Sequence, residues 1–176
     1  ALPASLAAEV VGVSRAPGRQ TPPLIAASRV DRGVAARVQE LKALGRAWEA
    51  NTEFRSALDD PTTALILAEL ANSQGWHTMA IEAAAAARAW RRVDLRFPVI
   101  YKSEFENASE ESGLEFEQLL AVARRESALA PTAVSEVGAR GLMQLLPSTA
   151  RLTARKHNYR YNSARLMRPG YNTAVG

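Results

Sequence analysis

The stretch Leu114–Ala150, LEFEQLLAVARRESALAPTAVSEVGARGLMQLLPSTA, sets an ionisable acid at the end of an apolar helix and follows it with a glycine-punctuated loop and the run GLMQLLP. At about 100° per residue, Phe116, Leu119, Leu120, Val122 and Ala123 form one stripe, which predicts an amphipathic helix from Leu114 to about Ala128. Glu126 and Ser127 fall in that stripe one turn beyond Val122 and Ala123, whereas Arg125 points the other way. The pattern therefore turns Glu126 toward apolar neighbours at the C-terminal end of a helix. Desolvation and the negative end of the helix dipole both favour the neutral acid. A carboxyl that keeps its proton near neutral pH can serve as a general acid. The bland alternative is a partly exposed glutamate paired with Arg124.

Ala130-Pro131 closes the helix. Gly138 and Gly141 punctuate the loop that follows, because glycine adopts backbone angles other residues avoid. Gln144 inside Leu142–Leu146 reads either as a satisfied core amide or as a group kept for a ligand. Ser148-Thr149 predicts the cap of a further helix to about Lys156.

Working outward, the whole chain has 176 residues, 47% of them hydrophobic and 23% charged, which describes a globular chain. A net charge of +4 suits any anionic polymer. Aromatic residues make up only 6%, and Arg91-Arg92 and Arg124-Arg125 are isolated pairs, so nothing here resembles a nucleic-acid surface. No cysteine is present, which excludes thiolate catalysis, disulfides and Cys-type zinc sites. The two histidines, His77 and His157, do not stand at metal-ligand spacing. No metal and no cofactor is called for. No apolar run approaches the ~18 residues of a membrane span. The opening ALPASLAAEVVG has no basic leader, does not read as a signal peptide, and lacks an initiator Met, so the chain reads as a processed or trimmed piece.

Leu6–Val11 is expected to close a helix, and Gly12–Pro23 reads as an exposed turn or linker. Val30, Val34, Val38 and Leu41 give a helical period over Ser28–Leu44, with Gly45 as the stop. Arg46–Leu58 predicts a second helix. Asp59-Asp60-Pro61 predicts the start of a third, which runs to about Ser73 and is broken by Gly75. Thr78–Trp90, with its run IEAAAAARAW, predicts a fourth, since alanine is the strongest helix former. This pair is either an ordinary helical hairpin or one unit of a helical-repeat array. Pro98 is expected to open a helix over Val99–Ala108. No segment alternates as a strand would, so the fold class is all-α.

The identities and spacing of Glu126-Ser127, Pro131, Ala133, Ser135, Gly138-Ala139-x-Gly141-Leu142-Met143-Gln144-Leu145 and Pro147-x-Thr149-Ala150 resemble the catalytic core of soluble lytic murein transglycosylases. Arg46–Tyr101 is similar to the helical linker region of the large members. Ser163–Gly176, with Leu166, Pro169, Asn172 and Gly176, is similar to the segment leading to the next catalytic-domain helix.

The resemblance implies linker helices from the end of a superhelix over residues 1–96, then a partial lysozyme-like α domain over 97–176. It implies a periplasmic enzyme that cleaves the β-1,4 bond between N-acetylmuramic acid and N-acetylglucosamine without water, leaving a 1,6-anhydro ring. Glu126 would be the acid and base. Met143, Gln144 and Leu146 would line the cleft, and Ser127 and Ser135 would orient the acid or the sugar. Most glycosidases need two carboxylates; here the substrate's own groups take the second part, so Glu115, Glu117 and Glu136 read as solvated surface. The implied partners are peptidoglycan glycan strands, with cell-wall synthesis or remodelling proteins as further candidates. Leu129 and Ala130 depart from the aromatic and Asn usual in the family. The family's Ala-Tyr-Asn-Ala-Gly segment has no counterpart before Gly176, which leaves a non-catalytic scaffold or peptidoglycan-binding module as the alternative.

Overall fold

The computed structural model describes residues 29–176; the expectations for Leu6–Val11 and Gly12–Pro23 lie outside them. The described residues form nine α-helices and one 3-10 segment, with no strand among them. The helices are α1 Arg29–Ala43, α2 Ala47–Ser56, α3 Pro61–Ser73, α4 His77–Ala86, α5 Val93–Arg96, α6 Lys102–Ser112, α7 Phe116–Ser127, α8 Pro147–Lys156 and α9 Pro169–Val175. The 3-10 segment, Ser163–Met167, precedes α9.

The first four helices are built on small residues. Val34 and Val38 of α1 and Phe54 of α2 are buried with Leu67, Ala68 and Ala71 of α3 and Met79, Ala80, Ala83 and Ala84 of α4. Alanine faces let two helix backbones approach closely, and α3 and α4 form the most extensive helix pair among the described residues. Asp60 caps α3 as its sequence predicts: its carboxylate accepts the Thr63 N–H at 2.7 Å, and Pro61 takes the first helical position.

Two helices depart from the sequence pattern, and tertiary contacts account for both. The alanine run does not carry α4 to Trp90. The helix ends at Ala86, with Arg88 in the left-handed region at φ 51°. The chain then turns so that Leu95 of the short α5, which periodicity does not reveal, is fully buried in the first core. Arg92 holds that turn by pairing with Glu69 of α3 and with Asp94 at 2.6 Å. The hydrogen bond from Arg92 draws the Asp94 carboxyl below its usual range. Pro98 does not open a helix either. Residues 98–100 run without helical structure, Ile100 packs on the second core, and α6 begins at Lys102 after a left-handed Tyr101 (φ 53°).

The second core gathers Phe105 and Ala108 of α6, Leu119 and Ala123 of α7, and Leu129 and Leu142 of the following loop. Phe105 and Phe116 meet edge to face, with centroids 6.3 Å apart and planes at 89°. Ile81 of α4 is buried in this second core and not the first, so it joins the two groups of helices. Each such large apolar side chain contributes about 1.5–3 kcal/mol on leaving water. A third cluster, Ala150, Ala154, Leu166 and Val175, seats α8 and α9 against the 3-10 segment.

Candidate active site

The helix α7 starts with a reciprocal capping arrangement in which Gln118 Oε1 accepts the Glu115 N–H at 3.3 Å. It ends at Ser127, where Ala128 (φ 50°) and Leu129 (φ 62°) are both left-handed. That pair of unusual backbone angles reverses the chain and drives Leu129 into the core, leaving it 1% exposed.

Glu126 stands in the last turn of α7, as its spacing indicates, but its side chain is exposed and not packed among apolar neighbours. The core-facing stripe of α7 runs through Phe116, Leu119, Leu120 and Ala123. Val122 and Glu126, four residues apart on the flank of that stripe, open outward, and Val122 is 45% exposed. The wheel counts Val122 as core because it is apolar, and only the packing separates the centre of the stripe from its edge. Pairing with Arg124 is not observed either. Arg124 Nε donates to the Arg96 carbonyl at 2.8 Å, and its guanidinium lies 5.6 Å from the Phe97 ring. Burial, with the charge of Arg96 added, holds Arg124 below its usual range.

On the flank of α7 that Val122 occupies lies a groove of about 560 Å³. Leu114, Leu119, Val122, Met143, Tyr159 and Gly176 are among its lining residues, whereas Glu126 and Gln144 are not. The Tyr159 hydroxyl donates to Glu111, which pushes the phenol above its ordinary range. Nothing in the local sequence pattern points to this pair, which joins α6 to the segment after α8.

The loop after α7 folds into a small hydrogen-bonded knot. Ser135 N–H donates to the Ala139 carbonyl at 3.0 Å, and Ser135 Oγ accepts the Ala139 N–H at 3.0 Å. Arg140 and Leu145 exchange both backbone bonds at 3.0 Å, and Gly141 N–H donates to the Ala133 carbonyl at 2.9 Å. The run GLMQ is therefore a tight turn, with Gln144 left-handed at φ 47°. Gln144 Nε2 donates to the carbonyls of Gly141 (2.9 Å) and Ala133 (3.3 Å). Both amide hydrogens are thus spent on the backbone, and the side chain has only the oxygen Oε1 to offer a ligand.

Of the other residues singled out, Met143 lines the groove, and Leu146 caps α8 at 39% exposure. Ser127 donates its hydroxyl to the Ala123 carbonyl at 3.1 Å, inside its own helix. Ser148 and Thr149 do not cap α8. Pro147 is its first residue, where a missing N–H costs nothing, and the two hydroxyl residues sit exposed within the first turn. Among the described residues no group of acidic or histidine side chains could hold a metal ion, and no helix is long and apolar enough to cross a membrane.

On this all-α frame, residues 103–176 match the Transglycosylase SLT domain, and residues 31–93 match the Soluble lytic murein transglycosylase L domain. The chain belongs to the soluble lytic murein transglycosylase family. It is 41% identical over 146 residues to a putative soluble lytic murein transglycosylase of Haemophilus influenzae, covering 81% of this chain and 25% of that protein. It is 33% identical over 147 residues to the soluble lytic murein transglycosylase of Escherichia coli K12, covering 80% of this chain and 22% of that protein. The structure superposes on an inactive Glu-to-Gln variant of the lytic transglycosylase Slt from Pseudomonas aeruginosa with a TM-score of 0.79 at 30% identity, over 97% of this chain and 29% of that one. The 70 kDa soluble lytic transglycosylase of Escherichia coli gives a TM-score of 0.73 at 29% identity, over 97% and 28% of the two chains. The chain spans about a quarter of the length of the curated relatives it matches.

Proposed function

We propose that the protein is a peptidoglycan lytic transglycosylase that acts in the periplasm, with residues 1–96 as the end of a helical superhelix and linker and 97–176 as the N-terminal part of a lysozyme-like catalytic domain. The observation that carries this reading is the placement of Glu126: an acid at the open end of α7, one turn beyond the groove-lining Val122, and followed directly by the loop that holds Gln144 and Met143. In its acid form Glu126 gives a proton to the oxygen that leaves the muramic acid anomeric carbon, and the C1–O bond breaks. The sugar's C6 hydroxyl oxygen then bonds to C1, and its proton passes to the Glu126 carboxylate. The acid is regenerated and no water is consumed.

The neighbouring groups take supporting parts. Oε1 of Gln144 accepts from a sugar N–H or hydroxyl, because its amide hydrogens are already engaged. Met143 and Leu146 give the glycan an apolar surface. Ser127 and Ser135 act by fixing the helix end and the loop, as their backbone bonds indicate.

Digestion of purified peptidoglycan, with products read by mass spectrometry, tests the reading. Anhydromuropeptides are expected, and Glu126→Gln is expected to lower their yield by about 10²–10⁴-fold, the usual worth of a general acid–base group. Ordinary reducing ends would identify a hydrolase. Binding without any product would identify a glycan-binding module.

A further inference from the structure

We propose that Asn172 of α9 is a positioning residue for the glycan-lining turn, acting through Met143 and Gln144 and touching no sugar itself. The inference rests on the reading of that turn as part of the cleft. Asn172 is fully buried, and its side chain makes three hydrogen bonds to main-chain groups, two of them about thirty residues away in sequence and one in the preceding 3-10 segment. Oδ1 accepts the Met143 N–H at 2.7 Å. Nδ2 donates to the Arg140 carbonyl at 3.0 Å and to the Leu166 carbonyl at 2.9 Å. One side chain therefore ties the Gly141–Gln144 turn to the 3-10 segment and to α9.

Only a primary amide satisfies this set. It offers an acceptor and two donors on one planar group. An aspartate would press an anion against two carbonyl oxygens. A leucine would remove all three bonds at once and leave the Met143 N–H without its Asn172 acceptor, while the Arg140 carbonyl would keep only the Leu145 N–H.

The backbone around Asn172 is shaped to receive it. A Cβ on Gly141 would lie 2.5 Å from Asn172 Nδ2 and 2.8 Å from its Cγ, and would strike the Leu166 carbonyl as well. A Cβ on Gly176 would lie 2.9 Å from both Cβ and Cγ of Met143. Glycines at both places let α9 close on the turn.

The clamp reaches Gln144 through Gly141. Asn172 holds the residues on either side of the Gly141–Leu142 pair, and the Gly141 carbonyl accepts both the Gln144 N–H (3.2 Å) and its Nε2 (2.9 Å). The left-handed backbone of Gln144 is a conformation that persists only when its surroundings enforce it.

The test uses the full chain and chitotetraose, an oligomer of β-1,4-linked N-acetylglucosamine, as the probe. Asn172→Ala is expected to speed exchange of the Met143 amide hydrogen and of the Gln144 side-chain amide by at least about tenfold, as expected when a buried hydrogen bond is lost. It is expected to weaken chitotetraose binding by about tenfold, no more than Gln144→Ala does, and the double variant should match Gln144→Ala alone. In turnover the loss should fall on KM more than on kcat. Asn172→Asp is expected to fail at neutral pH and to recover part of its affinity toward pH 4, as the carboxyl takes a proton and regains one donor. An additive loss of about a hundredfold in the double variant, or unchanged exchange at Met143, overturns the proposal. Wild-type chain that neither binds nor cleaves glycan overturns the functional reading instead, while exchange at Met143 still reports on the clamp.

Discussion

Glu126 shows how far a single residue can be read. Its identity and place at the end of α7 follow from periodicity, but its exposure does not, because a helical wheel cannot say which edge of an apolar stripe meets a neighbour. Gln144 is the converse case. Its position in an apolar run suggests either a core amide or a ligand group, and the structure shows its nitrogen bonded to two backbone carbonyls. Gly141 belongs to the same scale. It has φ 76°, and any side chain there meets Asn172 and Leu166. Gly141→Ala combines backbone strain with overpacking, and each costs about 1–3 kcal/mol. Urea unfolding of the purified chain is expected to show a loss of about 2–4 kcal/mol, and a loss below about 0.5 kcal/mol would contradict the interlock.

At the scale of elements, local chemistry and tertiary packing divide the work. Asp60-Pro61 is a start signal that needs nothing beyond its own turn. Asp60→Ala is expected to cost about 1 kcal/mol and to lower the melting temperature, with Asp60→Asn restoring most of it. The ends of α4 and the start of α6 carry no such signal. Alanine favours helix at every step and so encodes no stopping point. The stop comes from Leu95 entering the core and from Arg92 reaching Glu69 across the turn. The helix α8 resembles α3 in this respect, since Pro147 is a local start signal at its first position, while Ser148-Thr149 only looks like a cap.

At the scale of the whole molecule, two helical groups share one apolar side chain. Ile81 belongs to the alanine-rich α4 yet packs with Phe105, Leu119 and Leu142. In the segment between the two matched regions, Arg96 lies against both Trp90 and Phe97, at 4.9 and 5.0 Å, and Arg124 reaches back to the Arg96 carbonyl. The seam between the matched L-domain and SLT-domain regions is thus part apolar and part cation on ring. Ile81→Ala is expected to destabilise the chain by about 2–5 kcal/mol. Hydrogen exchange is expected to place the loss mainly in α6 and α7; a loss confined to α1–α4 would show that Ile81 serves only its own group.

The sequence by itself determined the all-α class, most helix positions, the resemblance to the transglycosylase family and the candidate acid. These rest on local periodicity, capping chemistry and the spacing of residues within one short segment. The tertiary structure alone decided that Glu126 faces outward, that GLMQ is a knotted turn, and that Asn172 holds it. Those facts depend on backbone groups that meet across α9, the 3-10 segment and the loop after α7. A hydrogen bond from Asn172 to Met143 leaves no periodic trace in a chain, because its geometry exists only once the helices between them have packed.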